Sequence, residues 1–231
     1  MLSSWLRYSR PACCCPVGAN GPIQTEIFLR TGPSLVVGGG ILNQALETGW
    51  EVGGGGRSLF FNPEMSAAWT LEANVVYFYN QANAGNVIPI VQVIPPPTPP
   101  GNAPPNVVAD RLHLRELHRT NVNVNAGREW FYTYQSGDWR LGWRYGLDGG
   151  GSLGTVRADF RMLTTRPHRT GILYGETVAL HTDLEIPRGC CTMVSGFRFE
   201  YEHDSMPRVV QKQNNGNLSS LNFLWNLGVR Y

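Results

Sequence analysis

The last eleven residues of the chain, Leu221 to Tyr231, constrain its fold most strongly. They read LNFLWNLGVRY and place large apolar side chains on alternate positions, namely Leu221, Phe223, Trp225, Leu227, Val229 and Tyr231. Because successive side chains of a strand point to opposite faces, one face of this strand is continuously apolar and the other is largely polar. A soluble edge strand of this kind is an aggregation hazard. A transmembrane barrel strand needs about ten residues of such alternation, with the apolar side towards lipid. The terminus therefore predicts a membrane barrel.

The composition is compatible with a membrane barrel and excludes helical membrane insertion. A length of 231 residues suits one barrel, or one large sandwich, better than two domains. Apolar residues make up 42% of the chain, and no run approaches the length of a membrane-spanning helix. A barrel strand is apolar on alternate positions only, so a mean hydropathy of -0.21 is acceptable. The net charge of +2 gives no reason to expect a nucleic-acid partner.

Alternating segments predict an all-β chain that closes into an antiparallel transmembrane β-barrel of eight strands. The predicted strands cover residues 25–31, 48–61, 67–80, 111–134, 138–162, 171–186, 190–204 and 221–231. Short connections at 62–66, 135–138 and 187–189 alternate with longer ones at 32–47, 81–110, 163–170 and 205–220. Outer-membrane barrels have short periplasmic turns and long external loops, so this alternation fits them. If residues 125–128 and 149–151 were both turns, the count would be ten.

The chain is predicted to form one domain. Residues 1–23 are an irregular N-terminal segment, and residues 24–231 form the barrel. The stretch 81–110 contains the sequence PPPTPP and is too proline-rich for a central strand, so it is predicted to be a long surface loop. The first twenty residues lack the apolar core of a signal peptide, which argues against export of a chain that begins at Met1.

The pattern changes phase in the middle of the fifth predicted strand. Up to Asp148 the apolar residues are Trp139, Leu141, Trp143, Tyr145 and Leu147. After the glycines at 149–151, the apolar positions have the opposite parity and Arg157 and Asp159 face the other way. The sequence therefore predicts either a bulge in one long strand or a turn between two strands.

The polar faces predict a barrel interior filled with charges of both signs. The residues assigned to this lumen network are Glu72, Arg140, Arg144, Arg157, Asp159, Arg198, Glu200, Glu202 and Arg230. In a barrel of about eight strands the interior is filled by side chains. An unpaired buried charge is costly, so these groups are expected to pair across the lumen. The predicted object is a plugged barrel rather than an open pore.

Four segments resemble the outer-membrane β-barrel proteins described from planctomycete-type bacteria. They are TGWEVGGGGRSLFF, DWRLGWRYGLDGGGSLGTVRADF, VALHTDLEIPRGCC and LNFLWNLGVRY, and the resemblance extends over residues 25–231. It implies a barrel in the bacterial outer membrane with a poorly defined role, and it supplies no catalytic residues. The aromatic C-terminus, with Phe223, Trp225, Leu227, Val229 and Tyr231, also resembles the signal that barrel-assembly machinery recognises.

The favoured function is a structural or surface-displaying role in the envelope, in contact with outer-membrane lipid and without enzymatic activity. A narrow passive pore for small solutes is one alternative. Another is an enzyme that modifies envelope lipid, using His181, Asp183 and Glu185, which share one strand parity. A soluble ligand-binding barrel is the fourth possibility, and it would have apolar residues inside. The five cysteines lack zinc-site spacing, so neither a metal nor another cofactor is expected.

Overall fold

The computed structural model describes residues 21–38, 41–86, 88–94, 106–136, 139–161, 168–188, 190–205 and 217–231. The elements in chain order are β1 (Ile23–Val37), α1 (Ile41–Ala45), β2 (Gly49–Phe61), β3 (Ala67–Gln81), β4 (Ile88–Ile94), β5 (Asn106–Ser136), β6 (Trp139–Arg161), β7 (His168–Arg188), β8 (Cys191–Ser205) and β9 (Asn217–Arg230). Each strand except β4 pairs antiparallel with two neighbours in a ring, in the order β1, β2, β3, β5, β6, β7, β8, β9. The predicted closed barrel of eight antiparallel strands is confirmed.

Several predicted boundaries are wrong. Strand β5 runs without a break past residues 125–128, and β6 runs through the three glycines, with Asn125 opposite Gly150 in an unbroken ladder. The ten-strand alternative is therefore wrong. Strand β1 continues through Gly32 and Pro33 to Val37, where a connection was predicted. Part of the proline-rich excursion lies in strands, because β4 pairs antiparallel with residues 106–112 at the start of β5. The PPPTPP sequence lies outside the described residues.

The barrel is apolar outside and polar inside. Large apolar side chains such as Leu29, Trp69, Leu153, Ile172 and Phe197 are more than half exposed on the outer wall. On β6 the outward apolar positions extend from Leu141 to Leu153, a distance of about 40 Å at roughly 3.4 Å per residue. A strand tilt of about 40° projects this distance onto about 30 Å, the thickness of the hydrocarbon layer. No helix in the described part of the chain is long and apolar enough to cross a membrane.

The apolar positions of β6 change parity although its backbone continues to alternate without interruption. What changes is whether the outward side chains face the apolar band or lie beyond it. Odd-numbered residues from Leu141 to Arg161 point outward throughout, and the even-numbered ones point inward. The β5–β6 register is continuous across the glycines, and its irregularity lies instead between Leu114 and Glu116. That bulge turns Leu114 inward, whereas the alternation predicts an outward position for it. The predicted bulge or turn at 149–151 is therefore wrong.

Three tryptophans on the outer wall donate their indole N–H groups to side chains of the wall itself. Each donates to a hydroxyl on a neighbouring strand: Trp50 to Thr31 at 2.8 Å, Trp143 to Thr182 at 2.6 Å and Trp225 to Ser195 at 3.0 Å. An indole paired in this way needs no water or lipid headgroup as an acceptor. These rings can therefore lie against hydrocarbon without leaving a donor unsatisfied.

Candidate functional site: the barrel lumen

The lumen is dense with ionisable side chains. Among the described residues, six arginines and ten carboxylates are buried, together with His181. The arginines are Arg30, Arg57, Arg119, Arg144, Arg198 and Arg230, and the acids are Glu26, Glu51, Glu72, Glu129, Asp148, Asp183, Glu185, Glu200, Glu202 and Asp204. The alternation places them there, because each occupies an inward position between outward-facing neighbours on its strand. Carboxylates therefore outnumber arginines among these buried groups.

Arg144 spans the lumen from β6 to β1, its opposite strand in the ring. Its Nη1 and Nη2 donate to the two carboxylate oxygens of Glu26 at 2.5 Å and 2.8 Å. Its Nε donates to Oδ2 of Asp183 on the adjacent strand at 2.9 Å. The guanidinium is completely buried. This bidentate pair therefore crosses the full width of the barrel.

A second bridge joins β2, β3 and β5. Arg57 Nη2 donates to Oε2 of Glu72 at 2.6 Å, and its Nη1 donates to Oε1 of Glu129 at 2.6 Å. Arg30 Nη2 donates to the other oxygen of Glu72 at 2.7 Å. Glu72 is thus held by two arginines from two different strands. Such shared carboxylates link the separate pairs into one network.

A third group lies on β6, β7 and β8. Arg198 donates through Nη1 and Nη2 to the two oxygens of Asp148, each at 2.6 Å, and through Nε to Glu200 at 2.8 Å. His181 lies between this group and the previous one, with Nε2 3.2 Å from Glu129 and Nδ1 3.4 Å from Asp148. The imidazole therefore connects the two halves of the network.

The charges nearer the long-loop end are less evenly matched. Arg119 forms ion pairs with both Asp204 and Glu202, and Asn121 donates to Glu202 at 2.8 Å. Neither carboxylate oxygen of Glu51 accepts a hydrogen bond from a described residue, although its exposure is 0%. The acidic excess of the lumen is concentrated here. In the described residues, no cluster of histidine, cysteine, aspartate and glutamate is arranged to hold a metal ion.

An apolar plug closes the lumen at the long-loop end. The short helix α1 buries Leu42 and Ala45, and Leu46 follows it into the same core. Around them, inward side chains of the barrel wall complete the cluster: Leu114, Leu117, Val156, Ala158, Phe160, Leu173 and Leu218. At the short-turn end Arg230 forms a bidentate pair with Glu185, at 2.5 Å and 2.8 Å, and lies 5.3 Å from the ring centroid of Phe131. Buried side chains thus occupy the middle and both ends of the lumen in the described part of the chain.

The structure distributes the predicted lumen residues between the two faces of the wall. Glu72, Arg144, Arg198, Glu200, Glu202 and Arg230 are inside and contact one another or their neighbours in this network. Arg157 and Asp159 are outside, so their assignment to the lumen is wrong. Near the long-loop end the wall rises above the apolar band, which leaves its outer face polar and its inner face apolar against the plug. The side chain of Arg140 lies outside the described residues.

Sequence reasoning missed Glu26, Arg30 and Arg57, which supply much of the central network. Glu26 and Arg30 alternate with Ile27 and Leu29, so a signal was present. Phe28 shares their inward parity and obscured the alternation. Its ring lies 4.2 Å from the guanidinium carbon of Arg30, which explains an aromatic residue inside a polar lumen.

The residues proposed for lipid chemistry are also inside the lumen. Asp183 accepts a hydrogen bond from Arg144, and Glu185 accepts one from Arg230. The side chain of His181 is only 3% exposed. None of these groups reaches the lipid-facing surface.

An apolar outer band, a charged interior and full antiparallel closure together define a transmembrane β-barrel with paired charges in its lumen. No family model and no curated protein sequence matches the chain. Among solved structures, Neisserial surface protein A matches with a TM-score of 0.34 and 10% identity over 91% of this chain and 96% of that one. The attachment invasion locus protein Ail of Yersinia pestis matches with a TM-score of 0.40 and 13% identity over 90% and 98%. These similarities are too slight to support an inference about function.

Proposed function

We propose that this protein is a sealed outer-membrane barrel that anchors and displays its long-loop end at the cell surface. The observation that carries the proposal is the double closure of the lumen. Cross-lumen ion pairs such as Arg144–Glu26 fill its middle, and the apolar cluster around α1 fills its long-loop end. A solute would have to displace both to pass.

The displayed part extends beyond the apolar band. The hairpin of β4 and the first residues of β5 projects from the ring, and β5 continues for 31 residues in all. A strand needs only about ten residues to cross the hydrocarbon. The surplus length on this side is therefore available for contacts outside the membrane.

The C-terminal strand is the proposed contact with barrel-assembly machinery. On β9 the side chains of Phe223, Trp225 and Leu227 are exposed on the outer wall, Val229 is half-buried and Tyr231 follows at the end. Strand β9 also closes the ring by pairing with β1. Outer-membrane lipid is the surrounding partner of this face.

A narrow pore is the second candidate, and the excess of carboxylates in the lumen is the observation that favours it. With ten described carboxylates against six arginines, any residual path would favour cations. Enzymatic modification of lipid has no comparable support, because its candidate residues are enclosed and paired.

Planar-bilayer recording separates the sealed barrel from the pore. We expect the wild-type protein to show no stable ohmic conductance. The double variant Glu26→Ala/Arg144→Ala removes the bridge across the full lumen and should admit a small, cation-selective current. The control Arg188→Ala lies at the exposed end of β7 and should match the wild type.

Insertion is measured in the same samples, by flotation with vesicles and by heat-modifiable migration on gels. A large, stable conductance from inserted wild-type protein would refute the sealed barrel. Recovery as a detergent-free soluble monomer would refute the membrane assignment itself.

A further inference from the structure

The outer wall of β3, β5, β6 and β7 changes from apolar to charged over a short distance near the long-loop end. The strand registers align outward side chains in rows across these four strands. Four rows lead from the apolar band towards the loops. The first two rows are Val75, Val122, Leu153 and Tyr174, followed by Tyr77, Thr120, Thr155 and Ile172. The next two rows are Tyr79, His118, Arg157 and Thr170, followed by Gln81, Glu116, Asp159 and His168. Successive rows are about 7 Å apart along the strands. The first charged row, which contains Arg157, thus lies about 7 Å beyond the row of Tyr77 and Ile172.

A groove crosses this boundary, and we call it the rim groove. Its floor is formed by the short side chains of Thr120 and Thr155, and its walls by Tyr77 on one side and Ile172 and Tyr174 on the other. The volume of the rim groove is about 1100 Å³. Its shape follows from the sequence, because two threonines occupy a row in which the flanking strands carry large side chains.

A polar recess of about 610 Å³ adjoins the rim groove on the loop side. Arg115, Arg157, Arg161 and His168 line it together with the two carboxylates of Glu116 and Asp159. Arg157 and Asp159 line both cavities, so the recess and the groove are continuous. Three arginines against two carboxylates leave the recess positive even with His168 neutral.

The acids orient the arginines without burying them. Arg157 Nε donates to Oδ1 of Asp159 at 3.1 Å, and Arg115 Nε lies 2.9 Å from Oε1 of Glu116. The side chains of Arg157 and Arg115 are 58% and 57% exposed. Each carboxylate thus contacts the Nε of an exposed guanidinium and leaves its two terminal nitrogens without a carboxylate partner among these contacts. Two such nitrogens can donate to a pair of phosphate oxygens.

We propose that the rim groove and its recess bind one membrane lipid with an anionic phosphate headgroup. One acyl chain lies along the threonine floor between Tyr77 and Ile172, and the phosphate lies against Arg157 and Arg115. Charge and shape both favour this occupant, because the cations begin one row beyond the apolar walls of the groove. This site goes beyond the proposed display role and rests only on the barrel lying in a membrane.

Native mass spectrometry of the detergent-solubilised protein tests the site. Dioleoyl-phosphatidylglycerol and dioleoyl-phosphatidylcholine are titrated separately, and the fraction of protein carrying one lipid is measured. We expect the anionic lipid to bind more tightly. Arg115→Gln and Arg157→Gln should each weaken it about fivefold, since each removes one basic residue from an anionic headgroup. Arg188→Gln, the same charge change at the opposite end of the barrel, should leave affinity unchanged.

Thr155→Phe provides an independent test of shape. It fills the groove floor without changing charge, and it is exposed, so the fold should tolerate it. We expect binding of the phosphatidylglycerol to fall, with no effect on heat-modifiable migration. Inorganic phosphate should not compete, because it lacks the acyl chain.

Equal affinity for the two lipids would overturn the proposal. So would an equal loss with Arg188→Gln, which would indicate diffuse charge attraction in place of a site. Insertion is measured separately by vesicle flotation, so a protein that inserts but shows no lipid preference contradicts this inference alone.

Discussion

Replacing Arg198 by alanine should destabilise the barrel strongly, because it orphans two buried carboxylates. Arg198 makes three short charge-assisted hydrogen bonds, two to Asp148 at 2.6 Å and one to Glu200 at 2.8 Å. Removing one partner of a buried ion pair costs roughly 3–5 kcal/mol. Asp148 retains His181 at 3.4 Å, and Glu200 retains Arg30 at 3.9 Å. These longer contacts still stabilise the two carboxylates in part, so we expect the free energy of unfolding to fall by about 3 kcal/mol, at the lower end of that range.

The loss is measured as the free energy of unfolding by urea in lipid vesicles, followed by tryptophan fluorescence. Two further variants isolate the cause. Arg188→Ala should change the unfolding free energy by less than about 0.5 kcal/mol, as exposed substitutions usually do. Arg198→Ala/Asp148→Ala should regain at least about 1 kcal/mol over the single variant, because one orphaned carboxylate is gone. An unfolding free energy for Arg198→Ala within about 0.5 kcal/mol of the wild type would refute the idea that these ion pairs hold the lumen together.

Three other perturbations test separate parts of the structure. Gly150→Ala should destabilise the barrel by about 1–3 kcal/mol, since its Cβ would lie 2.0 Å from the carbonyl oxygen of Val124. Gly151→Ala should be neutral, because the nearest atom to its Cβ would be 3.7 Å away. Equal urea midpoints for the two variants would contradict this expectation. Thr182→Val should lose about 1 kcal/mol by leaving the indole N–H of Trp143 without its acceptor, and an unchanged unfolding free energy would argue against that bond. Deleting residues 93–106 should leave the heat-modifiable barrel intact, because β4 lies outside the ring, and loss of assembly would show the excursion to be part of the wall.

The period-two alternation of single strands was enough to predict the fold. A segment such as Trp143 to Leu147 has one apolar and one charged or glycine face whatever its neighbours are, and only a barrel in lipid satisfies both faces. Breaker residues between such segments set the number of strands. These features are local, so the eight-stranded ring and the charged lumen could be inferred without coordinates.

The pairing within the lumen was decided by the tertiary structure alone. Arg144 and Glu26 are separated by 118 positions and meet only because β6 and β1 lie opposite each other in a closed ring. Alternation shows which face of the strand a residue occupies, but not its position along the barrel axis relative to the membrane. It therefore could not show where the wall leaves the membrane. Arg157 therefore has the sequence pattern of a lumen residue and lies on the outer wall. The plug around Leu42 is likewise a product of closure, because a short helix becomes a core element only when a barrel mouth surrounds it.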